Sequence, residues 1–101
     1  MRFVTIGLIG NPDSEALALR EATLEAHRAF SKTLFEAGVL KYSGPLFGDD
    51  GSTPAGSIMV VEYPSEEAYR AEFLAKEPFA TKKVWRTINF YQHKPAPYFA
   101  D

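Results

Sequence analysis

The chain has 101 residues, a formal net charge of −2, and 46% hydrophobic against 24% charged residues. That length fits one domain of ordinary size, the composition excludes a disordered chain, and the slight negative charge argues against a nucleic-acid duplex as partner. There is no cysteine, hence no disulfide framework, thiol nucleophile or thiolate metal site, which suits a cytoplasmic setting.

Residues 3–9, Phe-Val-Thr-Ile-Gly-Leu-Ile, are rich in β-formers and predict a strand. Gly10-Asn11-Pro12-Asp13 ends it, too early for a secretory core or a membrane span. Asp13 or Ser14 suits a helix N-cap, with Glu15 complementing the dipole. Residues 15–37 contain neither Gly nor Pro and predict a long helix closed by Gly38. A second strand follows over 39–47, then a loop through Gly48-Asp49-Asp50-Gly51. Residues 57–63 predict a third strand. Ser65 caps a second helix that runs to about Lys76, where Glu77-Pro78 stops it, and residues 84–91 predict the fourth strand. The domain spans 1–92, and the prolines of the tail, 93–101, keep it out of the sheet. Two adjacent rings, Tyr98 and Phe99, suggest that the tail docks on a partner subunit or over a pocket mouth.

The order β-α-β-β-α-β is the split-βαβ pattern, so the fold class is α+β, ferredoxin-like, with an antiparallel sheet. Two helices cover one face of such a sheet. Both faces of strands 3 and 4 are apolar. Ile58 and Val60 oppose Met59, Val61 and Tyr63; Val84, Ile88 and Phe90 oppose Trp85 and Tyr91. A second copy is the economical cover, so a homodimer is expected, burying Met59, Val61, Trp85 and Tyr91 or the opposite set.

His27 leads the residues that can carry chemistry. At about 100° per residue, Leu24, His27, Ser31, Leu34 and Phe35 share one face of the first helix, which places the imidazole inward. It is either a core-edge histidine with one backbone partner or a general base in a cavity between helix and sheet. Asp49 and Asp50 read as a solvated turn, or as carboxylates that orient His27. Glu77, an acid where a helix ends, runs against the dipole and is a third candidate. Ser43, beside Gly44-Pro45, and Ser57, after Gly56, can line a pocket. No G-x-S-x-G, phosphate loop or dinucleotide motif occurs. The two histidines, His27 and His93, have no metal-ligand spacing, so no metal and no cofactor are expected.

An ordered set of short pieces resembles the YciI-like (YCII-related) family of small dimeric α/β-barrel proteins. They are Glu25-Ala26-His27, Glu36-Ala37-Gly38-Val39-Leu40, Ser43-Gly44-Pro45-Leu46, Asp49-Asp50-Gly51, Gly56-Ser57, Ser65-Glu66-Glu67-Ala68 and Glu77-Pro78-Phe79. The resemblance implies a ferredoxin-like subunit that dimerises sheet to sheet, with a histidine–aspartate pair in the active site. His27 matches the histidine. The chain has Glu77-Pro78-Phe79 where the family often has Asp-Pro-Phe, so Asp49, Asp50 and Glu77 all stay open as its partner. The activity implied is cofactor-free dehydrochlorination of a chlorinated hydroxyhydroquinone. There His27 would serve as base, Ser43 or Ser57 as oxyanion donor, and Tyr42, Phe47, Phe79 and Trp85 as walls. The rivals are a related cofactor-free monooxygenase or isomerase, and a non-catalytic dimer that binds a small metabolite or regulates a partner. A fully packed interior around His27 would favour the last.

Overall fold

The structure is a computed structural model and describes residues 1–99. Strand β1 (Arg2–Leu8) leads to helix α1 (Ser14–Glu36), then strands β2 (Leu40–Phe47) and β3 (Pro54–Glu62). Helix α2 (Glu66–Tyr69) continues as a π-helical turn (Arg70–Leu74); a one-turn helix α3 (Pro78–Thr81) and strand β4 (Thr87–Gln92) follow. All ladders are antiparallel, in the order β2-β3-β1-β4, which is the ferredoxin-like arrangement expected from the sequence.

Local chemistry fixes the ends of α1. The Asp13 carboxylate accepts from the Ala16 amide at 2.8 Å, a side-chain N-cap. That amide, and then Arg86, hold the Asp13 carboxyl below its ordinary range. At the other end Gly38 sits at φ 77°, where a side chain would be strained. The Val39 amide reaches the Leu34 carbonyl and the Gly38 amide reaches that of Phe35, which is a Schellman closure.

Ladder register assigns the sheet's faces. Phe3, Thr5 and Gly7 share the helix-covered face with Met59 and Val61. Under α2 lies a core of stacked rings: Phe3 on Tyr69 at 4.4 Å, and Tyr69 on Phe73 at 5.4 Å. Such pairs contribute about 0.5–1.5 kcal/mol each beyond the area they bury. The buried Thr5 hydroxyl and Tyr69 phenol satisfy one another at 2.5 Å. The opposite face shows Val4, Ile6, Ile58, Val60, Tyr42 and Tyr91, and no helix among the described residues covers it.

Four expectations need correction. The second helix does not run unbroken to Lys76. Tyr69, Phe73 and Glu77 are all fully buried at a spacing of four, whereas an α-helix drifts by about 40° over four residues. The wider π turn absorbs that drift and keeps all three inward. Strand 4 starts at Thr87 rather than at residue 84, because Lys83 takes φ 63° and turns Val84 and Trp85 into the core. Trp85 therefore packs across Gly7 inside its own subunit, and Met59 and Val61 are also interior, so of the first expected dimer set only Tyr91 is on the open face. Lastly, Phe35 is 69% exposed, so the inward face of α1 ends at Leu34.

Past β4, the tail runs beside Met1, Arg2 and Glu62. Its Tyr98 and Phe99 are exposed, and the expected tail's last two residues, Ala100 and Asp101, lie outside the described residues. Among the described residues no helix is long and apolar enough to cross a membrane.

Candidate active site

The inward stripe of α1 carries Arg20, Leu24, His27 and Ser31, at the i, i+4, i+7 and i+11 positions that share one helical face. Opposite His27 stands Glu77, between two helical segments. Its amide still donates to the Phe73 carbonyl behind it, while its side chain caps α3 ahead, where Pro78 occupies the first turn. Glu77 is therefore no helix-terminating acid working against a dipole. It is an N-cap, where negative charge is favourable.

Glu77 Oε1 receives two N–H groups: the Phe79 amide at 2.9 Å and His27 Nδ1 at 2.6 Å. The carboxylate is wholly buried and the imidazole 14% exposed. An oxygen already accepting from an amide acts here as a carboxylate acceptor, so Nδ1 bears a ring proton and donates it. Among the described residues Nε2 has no protein partner, and the ring lines a cavity of ≈ 300 Å³. The imidazole plane is fixed by Phe79, stacked on it at 3.9 Å with parallel planes, and by the edge of Trp85 at 6.4 Å. Trp85 in turn braces Phe79 at 6.0 Å, and its indole has room only because residue 7 is glycine: a Cβ there would lie 2.1 Å from Trp85 Cδ2.

The sheet side of the cavity is made by Ser43, Gly44, Pro45, Ser57 and Met59. Ser43 faces it because of a β-bulge. Leu40 pairs with Val61 but Tyr42 pairs with Val60, so Lys41 is an extra residue and the side-chain alternation of β2 reverses after it. Without that bulge Tyr42 would face the helices. With it, Tyr42 is 64% exposed on the open face and is no wall of the cavity.

The structure thus brings His27, Glu77, Ser43, Ser57 and Phe79 together, with Trp85 behind Phe79. It does not bring Asp49, Asp50 or Phe47 there. Phe47 ends β2, half exposed. Asp49 and Asp50 are exposed in the β2–β3 turn. Asp50 accepts from the Thr53 hydroxyl, the Thr53 amide and the Ser52 amide, which lower its pKa to about 2. That carboxylate is committed to its own turn. Sequence reasoning missed Arg20, Arg28 and Ser31 as cavity residues. Extending the Leu24–His27–Ser31 stripe back by one turn finds Arg20; nothing in the sequence singles out Arg28. Among the described residues no group of three histidine, aspartate or glutamate side chains is placed to hold a metal.

The fold and the site together define one small α+β domain in which a helix-borne imidazole is tied to a buried carboxylate over an open cavity. The chain belongs to the YCII-related domain family, which matches residues 1–93. Among solved structures it is similar to 5-chloro-2-hydroxyhydroquinone dehydrochlorinase from Burkholderia phenoliruptrix, solved in complex with 2,5-dihydroxybenzoquinone. The TM-score is 0.76 over 95% of this chain and 96% of that one, at 20% identity, a likeness of fold. No curated protein matches the chain in sequence.

Proposed function

We propose that this protein is a small acid–base enzyme that needs no cofactor, works in the cytoplasm as a homodimer, and acts on a hydroxylated six-membered ring, removing HCl from a chlorinated hydroxyhydroquinone. One observation carries the reading: Glu77 Oε1 holds His27 Nδ1 at 2.6 Å, leaving Nε2 free in a ring that lines the cavity. A neutral imidazole held in one tautomer is what a general base requires. The dehydrochlorinase with the same fold supports the choice of ring chemistry.

In that reaction Nε2 takes a proton from one ring hydroxyl, and the developing oxyanion is met by donors on the cavity wall, Ser57 or Ser43. The ring shifts to its keto tautomer as the chlorine-bearing carbon takes up a proton. Chloride then leaves with its bonding pair while a second hydroxyl loses its proton. The net loss is HCl and the product is a hydroxybenzoquinone, so no external oxidant enters.

The test is chloride release from 5-chloro-2-hydroxyhydroquinone under anaerobic conditions. Wild type is expected to release chloride without oxygen, and His27→Ala to slow it by roughly 10²–10⁴-fold, the usual contribution of general-base catalysis. Strict dependence on oxygen would point to a monooxygenase instead. Near-normal turnover in a folded His27→Ala variant would make His27 a structural histidine.

A further inference from the structure

The cavity wall carries two cations that the base and its anchor do not account for. Arg20 and Arg28 flank His27 on α1, and both line the cavity. Other arginines have carboxylate partners: Arg2 with Glu62, Arg70 with Glu66, and Arg86 with Asp13. Among the described residues Arg20 and Arg28 have no carboxylate partner; the Arg20 guanidinium lies 6.0 Å from the centre of the Phe79 ring. Among the described residues no carboxylate lines the cavity; Glu77 stands behind His27, its Oε1 taken by the imidazole and the Phe79 amide and its Oε2 buried without a partner. The Ser31 hydroxyl, also in the wall, is buried without a partner. Two guanidiniums without a carboxylate partner and an unpartnered hydroxyl, all on one cavity wall, supply donors that favour an anion.

The positions narrow the ligand further. Arg20 and His27 both lie against the Phe79 ring, at 6.0 and 3.9 Å. A planar ring in the cavity can therefore meet the imidazole with one substituent and a guanidinium with another. We propose that the substrate enters already ionised: an aromatic or quinonoid ring carrying, besides the hydroxyl that His27 deprotonates, an anionic oxygen group that Arg20 binds, assisted by Arg28. This deepens the reading above and rests on it for the role of His27. The anionic group is a carboxylate or the oxygen of an acidic ring hydroxyl, which share this chemistry.

The test is calorimetric titration of the folded wild type and variants with three probes: neutral hydroquinone, 2,5-dihydroxybenzoate, which adds a carboxylate to it, and 2-hydroxy-1,4-benzoquinone, whose hydroxyl is a vinylogous acid. At least one anionic probe is expected to bind wild type tighter than hydroquinone, and which one does identifies the anionic group. Arg20→Gln is expected to weaken that probe by about 10–100-fold, the range for a hydrogen bond to a charged group. Arg20→Lys should recover part of the loss, and hydroquinone binding should stay unchanged. Raised salt should weaken only the anionic probe. The proposal is overturned if hydroquinone binds as well as both anions, or if the double variant Arg20→Gln, Arg28→Gln binds the anion like wild type. His27→Ala is expected to keep its preference for the anion, so anion selectivity and base catalysis fail separately: lost selectivity with intact His27-dependent turnover sinks this inference alone, and the reverse sinks only the functional reading.

Discussion

Glu77 Oε1 makes two contributions at once, and a pair of substitutions separates them. Glu77→Ala removes the cap of α3 and the acceptor for His27 Nδ1–H. Losing an N-cap costs about 0.5–2 kcal/mol. A buried donor left unpaired adds about 1–3 kcal/mol, reduced here because the imidazole is 14% exposed and can turn toward water. The expected destabilisation is about 2–4 kcal/mol. Glu77→Gln keeps an oxygen in the same place and so keeps both the cap and the tautomer. It loses the charge, about 1–2 kcal/mol, the gap between a charge-assisted and a neutral hydrogen bond, and sets an amide NH2 where the buried Oε2 has no partner. Turnover should follow the same order. With Ala the imidazole loses its fixed orientation and the rate should fall roughly 10²–10⁴-fold; with Gln the fall should be clearly smaller. Urea midpoints at unchanged m-values, set beside chloride release, measure both effects. If Glu77→Ala unfolds at the wild-type urea concentration, the double acceptor does not hold α3 and His27 together. If Gln is as slow as Ala while remaining the more stable of the two, orientation is not what Glu77 supplies.

Other expected outcomes follow from separate parts of the fold. Gly7→Ala places a Cβ 2.1 Å from Trp85 Cδ2, so the variant should lose about 1–3 kcal/mol, the usual cost of overpacking; the emission of Trp85, the chain's one tryptophan, should shift, and an unchanged midpoint and spectrum would contradict the packing. Val60→Glu puts a charge in the middle of the uncovered sheet face and should give folded monomers by sedimentation, since sheet-to-sheet dimers commonly bury ~2,000 Å² or more; a variant that stays dimeric rules out that face as the interface. Burial pushes the phenols of Tyr63 and Tyr69 up to about 12. The folded state thus holds these protons more tightly than the unfolded chain, whose tyrosines ionise near pH ~10. Their stabilisation is complete below that value and is lost as the pH rises from it through about 12. Alkaline unfolding monitored by circular dichroism, with a Tyr69→Phe control, should show this decline, and stability that stays flat across the window would refute it.

The element order and His27 were legible because they rest on local signals: Asp13 and Gly38 bracket α1, and a helical stripe turns the imidazole inward. What stayed hidden depends on features that simple periodicity does not encode. The bulge at Lys41 reverses the alternation of β2, so Tyr42 and Ser43 exchange faces. The left-handed Lys83 detaches Trp85 from the strand to which its neighbours point. Glu77 reads as the end of one helix because Glu-Pro is a stop signal; that it also starts another depends on a single turn too short to show a period. The choice among Asp49, Asp50 and Glu77 needed tertiary contact, since His27 and Glu77 are 50 residues apart.

The strand order β2-β3-β1-β4 interleaves the two halves of the chain, with β3 seated between β1 and β2. His27 and Ser43 come from the first half, Ser57 and Glu77 from the second. Neither half holds the base together with its anchor, and the loop joining them, Gly48 to Ser52, is exposed. The site therefore forms only when long-range pairing is complete, the slow class of folding event, which makes its appearance a late marker on the folding pathway. It also makes the chain a natural split reporter: cut at that loop, each fragment should be silent, and turnover should return only when the strands of both have interlaced.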